Sequence, residues 1–348
     1  MSVTLDEMLT AWVAGRSGHF PAVKETVQLL AATAVTVGET VGQGALGAAF
    51  AGHNGEANAA GDIQRDLDIH ADGLFIDAMR RAPVAAYASE ELDAPVLLNP
   101  NAPLALAIDP LDGSSNIEVN LSIGTIFSIL PVVSSGNEDP TSNFLQSGRH
   151  QLAAGFFIYG PQLSLVLTLG NGVQIFTWSQ RIQAFVQIHQ DCAIAPRTQE
   201  FSINASNYRH WDEEVRLYVD DCLKGAAGPR EKDFNMRWTA SLVAEAYRIL
   251  VRGGVFLYPA DHRKGYGQGR LRLVYEANPV AMLVEQAGGN ATDTVRPILD
   301  IVPTALHQRV PLVFGAEREV KWISRYHADP SSIAPRSPLF GQRGLFRA

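Results

Sequence analysis

The sequence predicts an α/β protein of layered helices and sheets, on three observations. Apolar residues recur at helical spacing in some segments and form short strand-like runs in others, in both halves of the chain. An Asn-Gly pair between two apolar runs marks an antiparallel hairpin near the middle. After about residue 190 helices and strands alternate, which is the pattern of layered α/β packing.

The elements follow in order. Residues 5–14 and 21–40 have helical spacing, with Val23, Val27, Leu30 and Ala34 on one face. The Gly-rich stretch GQGALGAAFAGHNGEANAAGD reads as a loop or a frayed helix end. A further amphipathic helix is expected from about 68 to 81. Strands are expected at 84–88, 104–108 and 125–133. LSLVLTLGNGVQIFTW holds the Asn171-Gly172 hairpin, and FVQIHQDCAI offers another strand. Beyond residue 190, DEEVRLYVDDCL and TASLVAEAYRILVRG look helical, while GVFLYPA and LRLVYEA look like strands. NPVAMLVEQAGG brackets a helix, with Asn278 at the N-cap, Pro279 at N1 and Gly288 past the end. VPLVFGA closes the sheet and EREVKWISRYH forms the last helix. A seam near 190 divides the chain into an N-terminal α+β domain (1–190) and a C-terminal α/β domain (191–327), followed by a loosely ordered tail (328–348).

Length supports the division, because 348 residues exceed one domain of about 150. A net charge of −8 argues against a nucleic-acid partner. It also means that an anionic ligand would need local positive charge, which metal ions can supply. Two cysteines, Cys192 and Cys222, make no disulfide framework and suggest a reducing compartment. The first residues lack a signal-peptide core, and no segment approaches the roughly 18 apolar residues of a membrane span. The expectation is a cytoplasmic protein without membrane or nucleic-acid partners.

Acidic residues gather where strands should end. SEE places Glu90 and Glu91 after one strand, AIDPLDG places Asp109 and Asp112 after the next, and YEANP places Glu276 after a third. Strand ends meeting helix starts are where α/β folds collect ligands. One such pair is most often a solvated loop; three sites together favour a shared cation. Carboxylates clustered together raise one another's pKa unless cations neutralise them. Hard oxygen ligands suit Mg²⁺ or Mn²⁺. Pro110 stiffens the link between the aspartates, and the Leu111 carbonyl is a further hard ligand. The backbone amides of Gly113 and Ser114 suit a phosphate beside the metal. Two such metals can clamp the attacking and leaving oxygens of an in-line displacement.

The octet DPLDGSSN followed by SIGTIFSI resembles the class I fructose-1,6-bisphosphatases. GDIQRDLD, FSIN, GGVFLYPA, LRLVYEANPVAMLVEQAGG and HQRVPLVFGA recur in the family's order, so the resemblance covers about residues 20–325. The details look most like bacterial members associated with the Calvin cycle. The resemblance implies a layered αβαβα sugar-phosphatase fold, a homotetramer, and Mg²⁺-dependent hydrolysis of the 1-phosphate of fructose 1,6-bisphosphate, with two or three metals per subunit and Mn²⁺ as a substitute. Carried over by residue, it implies metal ligation by Glu90, Asp109, the Leu111 carbonyl, Asp112 and Glu276. Asp62, on a mobile loop, would complete a third metal site. Asp68 and Glu91 would polarise the attacking water. Gly113, Ser114 and Ser115 would hold the 1-phosphate, and Asp112 and the Leu242 amide would meet the sugar. Asn204, Tyr258 and Arg237 of a neighbouring subunit would hold the 6-phosphate, with Arg270 where the family commonly has lysine.

The 6-phosphate end departs from the family. Asn207 and Trp238 stand where animal members have tyrosines, and Tyr208, one residue off, is the substitute. Such a pocket suits sedoheptulose 1,7-bisphosphate as a second substrate. The positions of the family's AMP site fall on Pro103, Leu104 and Pro131, which implies weak or absent AMP inhibition there. The alternating Arg270 and Arg272 give one strand face a basic character. His189 reads as a strand residue, His307 as structural and Asp66 as solvated, and helix capping is the plain alternative for Asp62. Two alternatives to the main function stay open: a related metal-dependent inositol or nucleotide monophosphatase, and a catalytically silent binding protein on the same scaffold.

Overall fold

In the computed structural model, which describes residues 3–44, 60–133 and 139–328 (backbone alone for 60–65), two helices come first. α1 (Leu5–Val13) begins at Thr4, whose hydroxyl accepts from the Glu7 amide while the Glu7 carboxylate accepts from the Thr4 amide. α2 (Phe20–Val41) buries Val23, Val27, Leu30 and Ala34 along one face. α3 (Ala60–Met79) packs beside it. This helix starts about two turns before the position that the sequence suggests. Gly61 weakens a helix by roughly 1 kcal/mol, too little to stop one that buries Leu67, Ala71 and Phe75. Most of the Gly-rich stretch, residues 45–59, lies outside the described residues.

Eight strands then build one sheet: β1 (Val84–Ser89), β2 (Val96–Leu97), β3 (Leu104–Asp112), β4 (Ile123–Pro131), β5 (Ala153–Tyr159), β6 (Leu163–Thr168), β7 (Gln174–Ser179) and β8 (Ala184–His189). Their order is β2-β1-β3-β4-β5-β6-β7-β8, antiparallel except for the parallel pair β1–β3. The Asn171-Gly172 turn joins β6 to β7 as its sequence requires. Alternation sends Ile123, Phe127 and Ile129 toward α1–α3 and Ile126 to the other face.

The rest of the chain supplies β9 (Glu200–Ser202), α4 (Glu213–Leu223), β10 (Asn235–Arg237), α5 (Leu242–Arg252), β11 (Val255–Tyr258), β12 (Leu271–Arg272), α6 (Asn278–Gln286), β13 (Asn290–Thr292), β14 (Arg309–Val310), β15 (Leu312–Gly315) and α7 (Glu317–Ala328). A second sheet runs β10-β9-β11-β15-β13, and β12 pairs with β14. Side chains of α5 and α6 fill the space between the two sheets. α4 and α7 cover the outer face of the second sheet through Val215, Tyr218, Val320 and Ile323. The layers are therefore αβαβα.

One expected strand is largely something else. Only Leu271 and Arg272 of LRLVYEA are extended; Leu273–Ala277 forms a five-residue π-helical turn that runs straight into α6. Asn278 is helical rather than an N-cap. All five turn residues are buried, so they carry no apolar–polar alternation to mark the conformation. Among the described residues no helix is long and apolar enough to cross a membrane.

Candidate active site

Five pieces of chain meet at the C-terminal ends of β1 and β3. β1 delivers Glu90 and Glu91, which follow its last residue. β3 ends on Asp109, Pro110, Leu111 and Asp112. Its pairing with β4 is Asp109↔Ile126 and then Asp112↔Gly124, so three steps on one strand face two on the other. This β-bulge lets Asp112 turn back to the side of Asp109. Pro110 sits within it, outside the ladder, where its missing N–H costs nothing. The Thr125 hydroxyl donates to the Pro110 carbonyl at 2.8 Å, and the Leu111 amide donates to Asp109 Oδ1 at 3.1 Å.

The π turn brings in Glu276, whose carboxylate accepts from the Arg272 amide. One carboxylate oxygen each from Glu90, Asp109 and Glu276 lie within 4.8 Å of one another. The Arg272 guanidinium pairs with Glu90 Oε1, while the buried Glu90 Oε2 has no hydrogen-bond partner. α5 contributes through its start: the Val243 amide donates to Asp112 Oδ2 at 3.1 Å. α3 contributes Asp68, which shares a hydrogen bond with the Ser114 side chain.

Burial and like charge act together on these acids. Asp109 is raised well above the usual carboxylate range by burial, then by Asp112 and Glu276. Glu276 is pushed up to about 8 by burial and Asp112, against the pull of the Arg272 amide. Asp112 rises to about 6 through burial, restrained by the amides of Val243 and Leu242. Asp68 rises to about 7 through burial and the Glu91 charge, with Ser114 opposing.

Gly113, with φ +77°, starts the single helical turn Ser114–Asn116 in a conformation that glycine adopts freely. The first amides of a helical turn have no acceptor within it, so this loop offers them to an anion. Asn116 anchors the turn by donating to the Ala240 carbonyl at 2.8 Å, and Ser115 is exposed.

A second group collects where β10, β9 and β11 end in parallel. Arg237 pairs with Ser202 and Ser202 with Phe256, so Trp238, Asn204 and Tyr258 follow at one end. The Arg270 guanidinium lies 5.5 Å from the Tyr258 ring centre, and Trp238 meets the same ring edge-on at 6.1 Å. Burial raises the Tyr258 hydroxyl, Arg270 opposes it, and Glu276 adds to it, which links this group to the carboxylates. Asn204 Oδ1 accepts from the Ser206 amide at 3.2 Å. Tyr208 donates its hydroxyl to Asp220 at 3.0 Å. Arg237 is exposed and lies 3.6 Å from Glu200. Asp62 falls in the first turn of α3 rather than at its cap, and its side chain is outside the described residues.

The fructose-1-6-bisphosphatase N-terminal domain model matches residues 9–190, and the C-terminal domain model matches residues 194–328. The chain belongs to the class I fructose-1,6-bisphosphatase family. It is 60% identical over 345 residues to the fructose-1,6-bisphosphatase class 1 of Rhizobium meliloti, covering 99% of both chains. It is 62% identical over 326 residues to that of Sinorhizobium medicae, covering 94% of this chain and 93% of the relative. The crystal structure of Leishmania major fructose-1,6-bisphosphatase in holo form superposes with a TM-score of 0.84 at 28% identity, covering 94% and 99% of the two chains.

The residues fit the divalent metal that fructose-1,6-bisphosphatases generally use. The donors are hard carboxylate oxygens, three converge within 4.8 Å, and Glu90 Oε2 is buried without a partner. Sequence reasoning missed Arg272 at this site. Its alternation with Arg270 suggested a shared direction, yet Arg270 stacks on Tyr258 and Tyr266 while Arg272 pairs with Glu90. Arg270 lies just before β12 and Arg272 within it, so strand alternation does not govern the pair. His307 is structural as expected: its ring packs against Tyr275, and Nε2 lies 3.0 Å from the Leu92 carbonyl.

Proposed function

We propose that this phosphoric monoester hydrolase removes the 1-phosphate of fructose 1,6-bisphosphate with Mg²⁺ or Mn²⁺ at the carboxylate cluster. The observation that carries the reading is the convergence of Glu90, Asp109 and Glu276 beside Asp68. Glu90, Asp109, the Leu111 carbonyl, Asp112 and Glu276 would hold the metal. When bound, it supplies positive charge to the phosphoryl oxygens and acidifies the attacking water. Asp68, with a pKa of about 7, is matched to a general base near neutral pH. Glu91 sits close enough for its charge to raise Asp68, and the Ser114 side chain opposes that rise. The amides of Gly113, Ser114 and Ser115 receive the 1-phosphate. Asp112, held by the amides of Leu242 and Val243, faces the sugar. Asn204, Tyr258 and Arg270 form the distal anion site, with Tyr208 as its outer aromatic and Arg237 completing the site of a neighbouring subunit in a homotetramer.

Phosphate release tests the reading. Chelated protein should be inactive on fructose 1,6-bisphosphate and regain activity with Mg²⁺ or Mn²⁺. Sedoheptulose 1,7-bisphosphate should serve as a second substrate, and inositol 1-phosphate should not react. Full turnover after chelation, or preference for inositol 1-phosphate, would overturn it.

A further inference from the structure

Asp68 and the glutamates that it faces come from different elements, and apolar packing alone does not fix their relative position. α3 lies on the first sheet through Leu67, Ala71, Phe75 and Met79, all buried. Such contacts are non-directional. They set a reacting group's position less finely than a hydrogen bond does, and one residue of slippage moves a side chain 1.5 Å along the axis.

One polar contact breaks this pattern. Asp72 lies one helical turn beyond Asp68, and its side chain is buried at 7% exposure. The Tyr87 hydroxyl, at the end of a fully buried side chain, donates to Asp72 Oδ1 at 2.6 Å. Tyr87 stands on β1 three residues before Glu90 and four before Glu91. The bond therefore ties the helix bearing Asp68 to the strand bearing both glutamates. Tyr275, which precedes Glu276, lies near enough for the Asp72 charge to help raise its hydroxyl, after burial. Asp72 thus adjoins all three elements that deliver Asp68, Glu90, Glu91 and Glu276. Burying a carboxylate is costly, and a leucine would fill an apolar layer more cheaply. The gain from Asp72 is directional.

We propose that Asp72 and Tyr87 form a positioning strut that holds Asp68 in register with Glu90 and Glu91. Neither residue touches the substrate. The strut rests on the reading of Asp68 as the base, and the test separates the two.

Tyr87→Phe removes only the hydroxyl. It should lower kcat by about tenfold while KM for fructose 1,6-bisphosphate stays within about twofold, since misplacing a reacting group by 1 Å costs up to about 10²-fold. Asp72→Asn keeps an acceptor oxygen for the Tyr87 hydroxyl and should retain most of the rate. The double variant Asp72→Leu/Tyr87→Phe swaps both partners for apolar groups, removes the risk of a lone buried polar atom, and should be as slow as Tyr87→Phe. Rates are taken per folded molecule, with melting followed in parallel, and hydrogen exchange along residues 66–79 should rise in the slow variants. Wild-type kcat in Tyr87→Phe or in the double variant overturns the strut, as does an equal loss in Asp72→Asn. Asp68→Asn is the control. If it matches the wild type, the base reading fails and the strut has nothing to position; if it is slow while Tyr87→Phe is normal, the strut alone fails.

Discussion

Asp112, Asp68 and Glu276 share one electrostatic condition: burial lifts them to about 6, 7 and 8, respectively. Between roughly pH 4 and pH 8 the folded protein therefore holds more protons than the unfolded chain, whose carboxylates titrate near 4. Stability from these groups is present below the unfolded pKa and is lost as pH rises through the folded values. The melting temperature of chelated protein should fall from pH 5 to pH 8.5. Added Mg²⁺ should raise it most at the alkaline end, where the ligands are ionised. A flat profile after chelation would contradict the buried acids. The sequence shows these residues clearly, because Asp, Glu, Pro and Gly at strand ends leave a composition signature. Arg272 and the Val243 amide left none: one is an ordinary strand arginine, and the other is a backbone group whose position depends on packing.

Gly124 shows how the elements set that packing. A methyl group there would lie 2.2 Å from the Phe157 carbonyl and 2.8 Å from the Val243 side chain. Its absence lets α5 approach β4 closely enough for the Val243 amide to reach Asp112, which pairs with Gly124 across the bulge. Gly124→Ala should cost about 1–3 kcal/mol, as overpacking does, and should also weaken metal activation; urea titration and a Mg²⁺ activation curve would show both. An unchanged activation curve would mean that the helix start adapts. The strands that the sequence foretells, such as β3, β4 and the β6–β7 hairpin, are apolar runs with clear turn residues at their ends. The turn Leu273–Ala277 is buried on every side, so its sequence looks like the strand that it is not. The early start of α3 was hidden for a different reason, since Gly61 and the residues before it carry loop composition.

Across the whole molecule, the helices of the outer layers read well from sequence because each has one wet and one buried face. The two-sheet arrangement between them came from the family resemblance and not from periodicity, since order within a sheet depends on pairings distant along the chain. One such pairing bears on regulation. Leu104 and Pro131, two of the positions that correspond to the family's AMP site, are direct cross-strand partners at the end of β3 and β4. Leu104 is fully buried and has no hydroxyl, and Pro131 offers neither a cation nor a backbone donor. AMP titrated at saturating Mg²⁺ should not inhibit through this place; sigmoidal inhibition at micromolar concentration would refute that. The bulge at the other end of the same two strands has a consequence for inheritance. Strand side chains alternate, so residues three apart belong on opposite faces, and the inserted residue alone brings Asp109 and Asp112 together. Loss of the Pro110 or Leu111 codon would restore a regular β3–β4 ladder, with the two aspartates two residues apart and still on one face. A folded descendant that keeps both carboxylates and loses only the kink between them is therefore one deletion away.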